Sequence, residues 1–258
     1  MTMPPSPPPT EQGVAARRPL PPLPPLPSPH GPASLRSPVV LGRITAALLA
    51  LVVVADLFAV WTDYKQYDVA SAFVGAFPGG LAGGGESLTS LLRRAEEADS
   101  LTVAAGWVQV GVLVVTAAVF LIWFRRVRIN AEVFFPYGHT WSRAWVIGSW
   151  FVPILNLWRP RQIMTEIWDA SRPAGTASRL GLVNTWWTFV LAEKVIGRLV
   201  LSAIRDDETP QGLRNAAVEV MILDILDIVA AVLAILVVLK LTGMQTRKAQ
   251  EDPAVSGG

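Results

Sequence analysis

Cysteine is absent from all 258 residues, which excludes a disulfide framework, a thiolate nucleophile and any cysteine-ligated metal. Histidine is scarce: only His30 and His139 occur, with no HxxxH or HxxE spacing, so each reads as a plain polar loop residue. The glycines Gly79, Gly80, Gly83, Gly84 and Gly85 lack the Gly-Lys-Ser/Thr of a phosphate loop and read as a flexible joint. HExxH, GxSxG and a spaced carboxylate set are missing as well, so the residues offer no catalytic group, metal site or cofactor, and the expectation is a non-enzyme. Charged residues make up only 16%, with a formal net charge of +2. Without a basic-aromatic cluster, the pI of about 9.2 gives no case for nucleic acid.

What is present is apolar length. A hydrophobic content of 52% and a mean hydropathy of +0.42 exceed those of an ordinary soluble domain. The expected fold is all-α: a polytopic membrane bundle of four spanning helices plus a broken re-entrant or interfacial helical element, with the lipid bilayer as its surroundings. Residues 1–38 form a Pro-rich tail that cannot bury a core, and Arg17-Arg18 ahead of PLPPLPPLP suits an SH3-like groove of a cytoplasmic protein partner. A solvated spacer is the blander reading of the same residues. Residues 39–242 are expected to be the helical transmembrane domain and 243–258 a second disordered tail. The first apolar run begins near Val39, too deep for a secretory leader, so it is expected to stay as an uncleaved anchor.

Leu41–Trp61 and Val103–Phe124 are long enough to span, and tryptophans mark their ends. Between them, Leu88, Leu91, Leu92 and Ala95 alternate with charges at helical spacing and predict a short surface helix. Arg125, Arg126 and Arg128 follow the second span at once, the sign of a cytoplasmic end. Leu182–Ile204 and Ala216–Leu239 are the remaining spans, joined by a short acidic turn.

The stretch Trp141–Ser171 decides the topology. Trp141 to Trp158 is near the lower limit for a crossing, and Pro153, Gly148 and Asn156 weaken a straight helix there. Pro160 suits the first turn of a new helix, on which Ile163, Met164, Ile167 and Trp168 share a face opposite Arg161, Glu166 and Asp169. Such a helix suits the membrane interface.

If the stretch spans, twenty basic residues divide ten and ten between the two sides. If it re-enters, Arg159, Arg161, Arg172, Arg179, Lys240, Arg247 and Lys248 move inside while Arg205 and Arg214 move out, giving fifteen against five. The positive-inside rule favours re-entry, four crossings and a cytoplasmic N-terminus in the cell membrane.

Ionisable residues at bilayer depth are costly and normally pair or face a wet cavity. Depth counting in the last hairpin levels Arg198 with Asp224 and Lys194 with Asp227, and predicts those two pairs. Glu193 is left unpaired, and Asp56 lies inside the first span. This cluster reads either as a clasp between the last two helices or as a relay or polar substrate site.

The pattern Arg128-Ile129-Asn130, then Trp150-Phe151-Val152-Pro153-Ile154-Leu155-Asn156-Leu157-Trp158-Arg159-Pro160, then Met164 and Glu166-Ile167-Trp168, resembles the family called domain of unknown function 4328. The likeness covers roughly Leu41 to Thr246, and its specific part is the broken-helix motif of Trp150, Pro153, Asn156, Trp158, Arg159 and Pro160. The resemblance implies a bacterial integral membrane protein, with no assigned activity to carry over. The leading expectation is a scaffold or accessory protein of the cytoplasmic membrane; the alternative is a small transporter or ion-conducting module using the charge cluster.

Overall fold

A computed structural model describes residues 33–76, 87–173, 175, 177, 179–204 and 209–251. The Pro-rich tail up to residue 32, the glycine joint, the acidic turn at 205–208 and the last seven residues lie outside the described set.

Among the described residues four long helices run through the molecule: α1 (Val39–Ala76), α2 (Leu88–Phe134), α5 (Gly181–Ile204) and α6 (Pro210–Glu251). Two short ones, α3 (Trp145–Gly148) and α4 (Arg159–Ser171), lie between α2 and α5. Among the described residues there is no strand.

Three of the four long helices, α1, α2 and α6, are long and apolar enough to cross a membrane. At 1.5 Å per residue the 38 residues of α1 extend ~57 Å, well beyond the ~30 Å of hydrocarbon, so each of these helices also reaches into water. Helix α5 is long enough too, but Glu193, Lys194 and Arg198 interrupt its apolar run. Val54, Leu57, Val103, Val114, Ile225 and Leu236 point outward and are exposed, an apolar belt too continuous for a water-facing surface.

The helices pack in the order α2, α1, α6, α5, with the first and last helices of the chain forming the most extensive contact. Gly42 makes that contact close: a Cβ there would sit 2.5 Å from Thr242 Oγ1. Trp123 of α2 completes the junction by donating its indole N–H to the same Thr242 hydroxyl at 3.1 Å.

Several boundaries differ from the sequence-based expectation. The short surface helix is instead the first part of α2, capped by the Ser87 side chain, which accepts from the Ser90 N–H. Helix α1 continues past Trp61 to Ala76, because the polar residues after Trp61 still find partners on α2: Gln66 donates to Asp99 and Arg94 to Asp68, each at 2.6 Å. The expected C-terminal tail from residue 243 is helical up to Glu251, with Gln245 buried in the protein.

The Trp141–Ser171 stretch is broken, as its proline suggests. Helix α3 has only four residues, turns follow it, and a single 3-10 turn at Leu155–Leu157 leads into α4. Helix α4 departs from the interfacial expectation. Ile163, Met164 and Ile167 are fully buried and Trp168 nearly so, packed on α2, α5 and α6 rather than turned to lipid. The apolar face is satisfied by protein because the ends of the long helices surround it.

Candidate functional site

Two polar constellations stand out, one at the arginine-rich end of the helices and one deeper between them. At the arginine-rich end, Glu132 is fully buried on the last turns of α2 between two guanidinium groups. Arg128, one turn earlier and itself fully buried, pairs with one carboxylate oxygen. Arg143 takes the other, its Nε donating at 2.8 Å. Arg128 also donates to the Trp141 carbonyl at 2.7 Å, which ties the loop after α2 back onto the helix.

Asn130, two residues on from Arg128, joins three distant parts of the chain. Its side chain exchanges hydrogen bonds with the backbone of Arg36 ahead of α1 and donates to the Gln245 side chain on α6 at 3.0 Å. Gln245 in turn donates to the Val127 carbonyl at 2.8 Å and the Ser171 hydroxyl at 3.0 Å. Lys248 reaches the Ala170 and Arg172 carbonyls at the end of α4. The start of α1, the end of α2, α4 and the end of α6 therefore meet at one end of the molecule.

The broken-helix residues build the roof of this end. Trp150 meets Phe120, Phe124 and Trp187 edge-on at centroid distances of 5.5, 6.2 and 6.0 Å. The Arg159 guanidinium lies 3.2 Å from the Trp141 ring centroid, a cation–π stack, and Pro160 sits buried in the first turn of α4. The Trp187 indole donates to the Leu157 carbonyl at 3.0 Å, within the turn that Asn156 shares by donating its N–H to the Val152 carbonyl. Pro153 and Trp158 are exposed.

His139, expected as an ordinary loop residue, is buried beside Glu166, with 3.8 Å between Nδ1 and a carboxylate oxygen. Burial pushes the Glu166 carboxyl up, but the bonds from His139 and the Thr140 N–H outweigh it and hold the group below its usual range.

The deeper constellation corrects the expected pairing. Neither Arg198–Asp224 nor Lys194–Asp227 forms an ion pair among the described residues; Arg198 is exposed, and Lys194 acts on Asp227 only through space. Instead Asp224 turns toward α1 and α2. Its Oδ1 accepts from the Gln109 amide at 3.0 Å, and the same amide nitrogen donates to Asp56 Oδ1 at 3.1 Å. Asp63, two helical turns along the same face from Asp56 at i+7, also acts on Asp224.

The physical reason is that α6 packs more extensively on α1 than on α5, so the assumption of a self-contained final hairpin chose the wrong partners. Asp227 is acted on through space by Asp56, Asp224 and Lys194, and Glu193 by Asp227 and Lys194. No hydrogen bond is made to Asp227 or Glu193 among the described residues.

Asp63 and Gln109 are the members that sequence reasoning missed. The seven-residue spacing from Asp56 to Asp63 was the available signal, hidden by ending the first helix at Trp61. Gln109 carries no charge and gives no depth signal of its own. Among the described residues no group of three or more histidine or acidic side chains is arranged to hold a metal ion.

Long apolar helices in side-by-side order, lipid-ready outer faces and polar groups turned inward define a multi-pass helical membrane protein. A family model described as domain of unknown function (DUF4328) matches residues 88–243, and the chain belongs to that family. The match runs from the start of α2 into α6, so it takes in both the arginine-rich end and the broken-helix motif. No curated protein and no solved structure matches the chain.

Proposed function

We propose that the protein is a non-enzymatic scaffold or accessory protein of the cytoplasmic membrane, with four crossings and both chain ends on the cytoplasmic side. The observation that carries this reading is the junction at Asn130. It gathers Arg36, the end of α2 and Gln245 at one end of the bundle, together with α4. If α5 crosses as the fourth helix, that end receives the larger share of basic residues, fifteen against five by the sequence count. A rigid, cross-tied platform on that face, next to a proline-rich tail, suits display to a cytoplasmic protein partner through an SH3-like groove. Reporter fusions near Ala174 and after Glu251 test it: both should report from the cytoplasm. Extracytoplasmic signals from both would overturn the four-crossing arrangement.

A second reading, a small transporter or ion-conducting module, is favoured by the Gln109 bridge between Asp56 and Asp224. Ionisable groups this deep mark pathways in many membrane proteins. Flux measured in liposomes, with Asp56→Asn and Asp224→Asn as comparisons, tests it; pH-dependent flux lost in both variants supports transport, and identical leakage with and without protein removes it.

A further inference from the structure

Helices α2 and α5 flank the α1–α6 pair and meet each other through aromatic side chains, Phe120 and Trp186 at 6.4 Å between centroids. Below that meeting lies a cavity of about 180 Å³, larger than the ~150 Å³ engineered cavity that admits benzene. Its walls are apolar, with Val52, Leu113, Phe120, Trp150 and Trp186 among them, and its one ionisable lining residue is Asp227. Leu113 on the rim is 55% exposed, so the cavity opens sideways, toward the lipid in a membrane setting.

The charge balance around this cavity is lopsided. Among the described residues, Asp56, Asp224 and Glu193 act on Asp227 as like charges and Lys194 as an opposite one. Gln109 serves Asp56 and Asp224. Asp227 has no such donor among the described residues and lines the cavity instead.

We propose that this cavity binds an organic cation, an ammonium carrying an aromatic ring or a short branched alkyl body, with Asp227 as counter-ion and the Phe120, Trp150 and Trp186 rings around it. A carboxylate and the electron-rich faces of several rings in an apolar pocket are the two attractions such an ion combines. A lipid acyl chain fits the apolar walls but makes no use of Asp227, the one ionisable group in the lining, which is why the occupant is assigned as a cation. The inference concerns binding and holds whether the protein is a scaffold or a carrier.

The test uses the full chain purified in detergent and equilibrium dialysis at pH 8 with benzyltrimethylammonium, beside neopentylbenzene as its uncharged counterpart. Wild type should bind the cation saturably at one site, at least about tenfold more tightly than the neutral compound. Asp227→Asn should remove that preference, and Ala117→Leu, which fills the mouth from α2 without altering any charge, should block both compounds. Should the Asp227→Asn variant fail to fold by circular dichroism, the wild-type preference and the Ala117→Leu block decide alone. Equal affinity for the two compounds identifies a hydrocarbon site and overturns the proposal. Absence of saturable cation binding to wild type, or undiminished binding to a folded Asp227→Asn, overturns it equally.

Discussion

Replacing Glu132 by glutamine should be among the most damaging single changes available at the arginine-rich end. The carboxylate is fully buried and takes Arg128 on one oxygen and Arg143 on the other. An amide in its place would keep the shape but cancel the charge, leaving the fully buried Arg128 guanidinium with neutral partners, the Trp141 carbonyl and an amide whose single oxygen can serve only one of the two arginines' positions. Breaking a buried ion pair from one side typically costs about 3–5 kcal/mol because an uncompensated charge stays behind. Arg143 is 22% exposed and can turn to water, which places the expected loss near the lower end, about 3 kcal/mol. The assay is equilibrium unfolding of the purified protein by SDS titration, followed by far-UV circular dichroism. The reasoning makes a second demand: Arg128→Leu combined with Glu132→Leu should be less destabilised than Glu132→Gln alone, since no buried charge is then stranded. A loss below about 1 kcal/mol for the single variant, or a double variant that is worse, would refute it.

Gly42→Ala should destabilise by about 1–3 kcal/mol in the same titration, because its Cβ would stand 2.5 Å from Thr242 Oγ1; adding Thr242→Ala should return part of the loss. Gln109→Leu removes the donor shared by Asp56 and Asp224 and should cost about 1–3 kcal/mol, with an isosteric Gln109→Glu also destabilised because it adds a third carboxyl. Glu166 has a folded-state pKa below its ordinary value of 4.5, so its contribution to stability is present above pH 4.5 and is lost as pH falls through the lowered value. Thermal unfolding of Glu166→Gln from pH 7 to pH 3 should therefore show a shallower acid decline than wild type, and an identical slope would remove Glu166 from that account.

Much of the molecule was legible in the residues. Apolar runs with tryptophan at their ends located α1 and α2, the run Ala216–Leu239 located α6 despite Asp224 and Asp227 within it, and Pro153 with Pro160 located the break and the restart after it. The helix ends were less legible. Gln66, Asp68, Arg94 and Asp99 read as polar linker and surface, but they bond to one another across α1 and α2, and a partner on another helix leaves no mark on local periodicity. The same limit explains the charge cluster. Depth counting compares two adjacent helices, whereas Asp224 answers to Gln109, 115 positions away in sequence. The interfacial expectation for α4 failed for a related reason: an amphipathic face does not say whether lipid or protein will cover it, and here α2, α5 and α6 cover it.

The partner that α1 packs against most is α6, made after every helix between them. During synthesis α1 therefore waits through α2 to α5 with Gly42 unmet, and Asn130 cannot close its ring of hydrogen bonds until Gln245 has emerged. Closure of the α1–α6 contact is late even though α1 can meet α2 early, and truncation before α6 should leave an inserted but incompletely assembled chain for membrane quality control to remove.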